Sequence, residues 1–221
     1  MQKPKTLILG GSSLIAQDLI KKLRDKSVFV DFTYNHKKYE NGIKLNINEK
    51  QSIESFMEII SETQYDNIIN FIGKLSKQSN FKDQSEILED IIQTNFVSIV
   101  SLMEKLIGKN LLSNGKIIFI SSISGIEGSY DANYAAAKAA LNMYVKSRVR
   151  SLDSQVGNLI SICPTLIQES AMYNSMNHFE WERHKNKRAN GKLLTFEDLN
   201  LKIIEVIESD PKLTNGKIIL I

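Results

Sequence analysis

The chain has 221 residues, 42% hydrophobic and 24% charged, which suits one domain with a full core. Its 28 Lys and Arg against 25 Asp and Glu leave a net charge of +3, too small to argue for a nucleic-acid partner. The single Cys163 excludes an intrachain disulfide, and no run approaches the roughly eighteen uninterrupted apolar residues of a membrane span, so a reduced cytoplasmic protein is expected.

The first apolar run predicts a strand at 6–9. It breaks at once into Gly10-Gly11-Ser12-Ser13, which favours a strand over a signal peptide. A helix is expected over 14–26. The turn between them lets a pyrophosphate approach the backbone, and the helix start offers free N–H groups and a positive dipole end. Gly10, Ser12, Ser13, Leu14 and Ile15 are therefore candidate phosphate contacts, although Leu14 and Ala16 stand where such loops often carry further glycines.

A second strand, 28–33, ends at Thr33-Tyr34-Asn35-His36-Lys37-Lys38. In a dinucleotide fold an acid at this point binds the ribose hydroxyls and selects NAD. No acid is present. Tyr34, Asn35, His36 and Lys37 offer hydrogen-bonding and cationic partners to a 2′-phosphate, so NADP is the expected cofactor and NAD the disfavoured one. Further helices are predicted at 50–63, 85–107, 132–152 and 195–208, and further strands at 67–71, 116–121, 159–163 and 217–221. The strands are continuously apolar, as expected when both faces are covered. Strands alternating with helices at this pitch predict an α/β single domain: a doubly wound parallel sheet of the Rossmann type with helices on both faces. Cys163 ends an apolar run and reads as a buried thiol.

The Ala-rich helix over 132–152 carries Tyr134 and Lys138, four apart and so on one face. A nearby cation favours phenolate, so the pair is expected to lower the Tyr134 pKa and make a proton donor and acceptor for carbonyl reduction.

Taken in order, these residues resemble the short-chain dehydrogenase/reductase family over nearly the whole chain. Gly10-Gly11-Ser12-Ser13-Leu14-Ile15-Ala16 is similar to its glycine-rich loop, and Asn46-Ile47 to its adenine-contacting pair, with Asn for Asp. Asn70-Phe71-Ile72-Gly73 resembles the element beside the cofactor ribose. Asn95, Ser122, Tyr134 and Lys138 match the catalytic set, and Cys163-Pro164-Thr165 stands where the family usually has Pro-Gly, which with Ile167 adds Pro164, Thr165 and Ile167 to the cofactor contacts. The flavour is that of bacterial 3-oxoacyl-carrier-protein reductases. The resemblance implies that Ser122 hydrogen-bonds the substrate carbonyl and Tyr134 transfers the proton. It implies that Lys138 also holds the nicotinamide ribose, and that Asn95 interrupts its helix and retains a water leading to Lys138.

The polar stretch 165–194 is expected to form a substrate lid. Within it, Phe179-Glu180-Trp181-Glu182-Arg183-His184-Lys185-Asn186-Lys187-Arg188 suits an acidic or carrier-linked small-molecule carbonyl substrate, or is a solvated helix. His178 and His184 lack metal-ligand spacing, and no metal is assigned. The sequence stops at its last strand, where many relatives continue into a tail that helps form a tetramer. A homodimer through the helices at 85–107 and 132–152 is expected instead. Two alternatives stand beside the reductase: a dinucleotide-binding regulatory or scaffold protein without turnover, and a nucleotide-sugar epimerase or reductase, for which the length leaves no substrate domain.

Overall fold

The computed structural model describes residues 3–109, 112–151, 157–186 and 190–221. Met1 and Gln2, Leu152 at the end of the predicted fourth helix, and Lys187, Arg188 and Ala189 of the lid lie outside the described residues. The chain runs β1 (Lys5–Leu9), α1 (Leu14–Asp25), β2 (Phe29–Tyr34), β3 (Ile43–Lys44), α2 (Lys50–Ile59), β4 (Tyr65–Asn70), α3 (Gln84–Ile92), α4 (Ser98–Gly108), β5 (Leu112–Ile120), α5 (Ser124–Glu127), α6 (Ala132–Arg148), β6 (Asn158–Cys163), α7 (His178–Asn186), α8 (Phe196–Glu208), α9 (Pro211–Thr214) and β7 (Ile218–Leu220).

All seven strands pair in parallel in the order β3-β2-β1-β4-β5-β6-β7. The expected doubly wound sheet is present. Successive residues of each strand feed opposite cores. Leu7, Leu9, Ile68, Ile117, Phe119 and Leu159 pack with α2, α4 and α6 on one face. Ile8, Ile69, Ile118, Ile160 and Ile162 pack with α1 and α8 on the other. Burial on both faces explains the unbroken apolar runs.

Helix starts follow local capping chemistry. Ser13 Oγ accepts the Ala16 N–H at 3.2 Å, Asp83 caps α3, and Thr195 and Asp198 form a reciprocal capping box on α8. The predicted helix over 85–107 is instead α3 and α4, joined through a π-helical turn at Gln93–Val97 with Asn95 at its centre. By length and composition the stretch Gln84–Gly108 is apolar enough to cross a membrane. Here its apolar side, with Ile91, Ile99, Leu102, Met103 and Leu106, is buried in the domain. The two-residue edge strand β3 has no counterpart in the sequence reading, because it is too short to show a period.

A buried lysine closes the far end of the sheet. Lys116 donates from Nζ to the carbonyls of Val206 (2.6 Å), Ile207 (2.8 Å) and Ser209 (2.5 Å), satisfying groups that the C-terminus of α8 leaves open. Burial pulls its pKa below the ordinary lysine value. Lys116→Met will strand these carbonyls and cost about 3 kcal/mol of unfolding free energy in denaturant titration. A cost below about 0.5 kcal/mol would show that the bonds are not needed.

Candidate active site

The strand order reverses beside β1, so the C-terminal ends of β1, β2, β4, β5 and β6 open onto one edge. A cleft of about 210 Å³ lies there. Phe71 and Gly73 after β4, Ser122 after β5, Tyr134 and Lys138 on α6, and Pro164, Thr165 and Ile167 after β6 line it together. These eight residues were singled out from sequence and converge in space. Leu75, Gln78, Leu166 and Met172 complete much of the wall.

Lys138 is almost wholly buried. Its Nζ donates to the Ile120 carbonyl at 2.9 Å and stands 5.5 Å from the centroid of the Tyr134 ring. Gly125 lets this helix approach the Ser122 loop: an added Cβ would come within 2.7 Å of the Lys138 carbonyl carbon. Ser121 Oγ donates to the Lys138 carbonyl at 3.3 Å, and Ser122 Oγ accepts the Ser124 N–H at 3.1 Å.

The electrostatics correct one expectation. Burial pushes the Tyr134 phenol up to about 12; a hydrogen bond with Ser122 pulls it down, and Asp131 and Cys163 add to the rise. Burial likewise pulls Lys138 down to about 8. Lys138 therefore does not bring the phenol below its ordinary value. Desolvation disfavours the charged form of each group and is the largest cause for both.

Asn95 is fully buried in the π-helical turn, and its amide clasps one residue twice. Its Oδ1 accepts the Lys74 N–H and its Nδ2 donates to the Lys74 carbonyl, both at 2.7 Å. Lys74 is also paired with Asp90 at 2.6 Å. The side chain acts first as a clamp on the loop after β4, beside Gly73.

At the phosphate end, Gly10 has φ +76°, which favours glycine, and its N–H donates to Thr33 Oγ1 at 3.0 Å. An added Cβ there would press on Ile72 at 3.0 Å. Leu14 is 68% exposed and Ala16 is buried beneath the turn, so the Leu14 side chain does not fill the loop. Tyr34, Asn35, His36 and Lys37 lie apart from the cleft, at the end of β2. They are linked back to the loop through Tyr39, whose hydroxyl donates to the Ser12 carbonyl at 3.2 Å while Lys37 Nζ sits 5.6 Å over its ring. Asn46 also lies away from the cleft. It spends its amide on Glu49 (2.7 Å) and on the Asn48 N–H (3.1 Å), and the Ile47 side chain belongs to the core.

A dinucleotide fits this edge. A Cβ on Gly73 would stand 3.4 Å from Lys138 Nζ, so the glycine keeps that space open, and the buried Asn70 Oδ1 has no protein partner. The excursion from β6 returns to the sheet at its neck, where Gln168 N–H meets the Leu194 carbonyl at 2.7 Å and Ile167 bridges Leu194. Within it, His178–Asn186 forms α7, whose described side chains are exposed or half-buried. Trp181 stacks on Tyr173 at 4.5 Å, and Arg183 binds Tyr130 at the foot of α6. Sequence reasoning passed over Tyr39, Gln17 (Nε2 to the Gly11 carbonyl, 2.5 Å) and Asp131; only Asp131, three residues before Tyr134 at a helix start, had a readable capping signal.

A sequence model of the short chain dehydrogenase family matches residues 6–181. The 3-oxoacyl-[acyl-carrier-protein] reductase of Vibrio cholerae is 30% identical over 140 residues, covering 62% of this chain and 57% of that reductase, so the chain spans little more than half its length. A short chain dehydrogenase family protein from Francisella tularensis superposes with a TM-score of 0.84 at 20% identity, covering 100% of this chain and 97% of that one. An actinorhodin polyketide ketoreductase solved with NADPH superposes at 0.81 with 15% identity, covering 99% and 95%. At these identities the two structures speak to the fold.

The lowered Lys138 pKa has a measurable sign. Between about pH 8 and the ordinary lysine value the folded state binds fewer protons than the unfolded state, so stability rises with pH there. Relative to Lys138→Met, the wild type will gain about 3 kcal/mol between neutral pH and about pH 11 in urea titrations. A difference constant across that range would overturn the depressed value.

Proposed function

The chain belongs to the short chain dehydrogenase family, and we propose that it is an NADP(H)-dependent carbonyl reductase, reversible toward a secondary alcohol. The observation that carries this is the convergence of Ser122, Tyr134 and Lys138 on one cleft at the switch point of the sheet. A bound nicotinamide supplies or accepts the hydride. The Ser122 hydroxyl hydrogen-bonds the substrate carbonyl oxygen as charge builds there. Tyr134 delivers its phenolic proton to that oxygen, or takes it back in the reverse direction. A phenol held at about 12 is protonated throughout the neutral range, the form that reduction needs. Lys138, anchored on the Ile120 carbonyl, keeps further N–H groups for ribose hydroxyls on the Gly73 side. Asn95 holds Lys74, and with it that wall of the cleft, where a water can link it to Lys138.

At the adenosine end, Ser12, Ser13 and the Leu14 and Ile15 N–H groups receive the pyrophosphate. Exposed His36 and Lys37 receive the 2′-phosphate, and Tyr34, Asn35, Asn46 and Ile47 edge the adenosine. The apolar walls of Phe71, Leu75, Leu166, Ile167 and Met172 suit an acyl chain. With Arg183 and Lys185 on α7, they favour an acidic or carrier-linked substrate, in keeping with the relative from Vibrio cholerae. We place the chain in the cytoplasm as a homodimer through the α4 and α6 layer; Val97 just before α4 and Met143 on α6, 42% and 60% exposed, support the dimer face. The reading without turnover rests on Leu14, Ala16 and Thr165; of these Leu14 is 68% exposed and leaves the loop open, which favours the reductase.

Tyr134→Phe will lower ketone reduction about a thousandfold while NADPH affinity stays within about threefold, by nicotinamide fluorescence. Retained turnover above a few per cent sinks the assignment. Replacing Lys37 and Lys38 by Ala will weaken NADPH binding about tenfold and leave NADH unchanged. Equal losses for both cofactors would remove this turn as the 2′-phosphate site.

A further inference from the structure

We propose that Asp131 is a positioning residue for Tyr134. Its carboxylate ties the first turn of α6 to the loop after β4 and adds a negative charge to the surroundings of Tyr134. The inference rests on Tyr134 being the proton donor. Asp131 is outside the cleft and outside the Asn95, Ser122, Tyr134 and Lys138 set, yet its bonds reach both sides of the site. Oδ1 accepts the backbone N–H of Tyr134 at 3.1 Å, capping α6 at the catalytic residue itself. The same carboxylate receives the Ser76 N–H on Oδ2 at 2.8 Å and the Ser76 hydroxyl on Oδ1 at 2.5 Å.

Ser76 belongs to the opposite wall. Its neighbour Leu75 lines the cleft, and Lys74 before it is the residue that Asn95 clasps. The carboxylate thus joins the helix that carries the acid to the loop that faces the substrate. Asp131 is fixed in turn: its N–H donates to Ser129 Oγ at 3.1 Å, that hydroxyl donates back to the Asp131 carbonyl at 3.1 Å, and the same carbonyl accepts the Ala135 N–H at 2.9 Å. A side chain merely capping a helix would not also bind a loop 55 residues away.

The groups around the phenol leave Asp131 a distinct part. Lys138 lies one turn along the same helix and Cys163 approaches from β6. The β5 side offers the neutral Ser122 hydroxyl. Lys74, from the loop after β4, is paired with Asp90, and Arg183 of α7 binds Tyr130, next to Asp131 in the chain. The Asp131 charge adds, after burial, to the rise of the Tyr134 phenol.

Two variants separate the charge from the clamp. Asp131→Asn removes the charge and the acceptor of the Ser76 N–H but keeps one oxygen for the Tyr134 N–H and the Ser76 hydroxyl; Asp131→Ala removes the charge and all three bonds. In the pH dependence of ketone reduction, the alkaline limb of kcat is expected to move to lower pH by about half a unit or more in Asp131→Asn. Asp131→Ala will show the same movement, lose about tenfold or more in kcat, and lose amide hydrogen-exchange protection at Ser76 and Tyr134. An alkaline limb unmoved in a folded Asp131→Asn overturns the electrostatic part. Protection unchanged at both amides in Asp131→Ala overturns the clamp, and this readout needs no turnover. A wild type that binds NADPH but reduces no carbonyl would instead overturn the Tyr134 reading itself.

Discussion

Burial of the central strands on both faces makes every strand of this sheet run the same way. Ile117 and Ile118, adjacent in β5, lie in opposite cores, and neither core is complete without helices over it. Apart from the short edge step from β2 to β3, each strand hands the chain to a helix before the next strand begins, and the strands pair in parallel. All strand ends of one polarity then share an edge. The residues of the cleft come from loops after β4, β5 and β6, more than 90 residues apart between Phe71 and Ile167, and no local interaction brings them together. The sheet does so as a by-product of hiding its apolar surface.

The same burial sets the chemistry. Tyr134 and Lys138 are both driven toward neutrality, one upward and one downward. They do not form an exposed ion pair in which attraction dominates. The site holds a phenol reluctant to lose its proton beside an amine reluctant to keep one; burial dominates both, and for the phenol the Ser122 hydroxyl works against it while the carboxylate three residues before adds to it. Around this pair the structure is over-determined. Asn95 holds Lys74 by both backbone groups, Gly125 admits α6 to within contact of the Ser122 loop, and Ser76 is bound twice.

What was legible in the sequence follows from where the controlling physics lies. Apolar runs such as Leu7-Ile8-Leu9 and Leu159-Ile160 announce doubly covered strands because burial acts on each residue directly. The order of Ser122, Tyr134 and Lys138 was readable, and the fold brings all three to one cleft. The pKa of Tyr134 was misjudged because the i, i+4 rule describes a solvated helix face, whereas this face is buried by β5 and β6, which the local sequence does not reveal. The split of the helix at Asn95 was legible only through resemblance, since nothing in the apolar period of that stretch breaks there. Tyr39 escaped because its partner Ser12 is distant in sequence; the cap that Asp131 makes on α6 was readable, but its bonds to Ser76, 55 residues away, were not.

The excursion between β6 and α8 carries a built-in optical property. The chain's single tryptophan, Trp181, is on α7, stacked on Tyr173 and bonded through Nε1 to the Tyr173 carbonyl at 3.0 Å, with His178 edge-on at 6.1 Å. No indole in the sheet or its covering helices competes with it. Emission excited at the red edge of the aromatic band therefore comes from this one segment, and quenching by the stacked phenol and adjacent imidazole makes its intensity depend on whether the three rings stay together. The molecule thus carries a native fluorophore that reports the excursion between β6 and α8, with no label to be added.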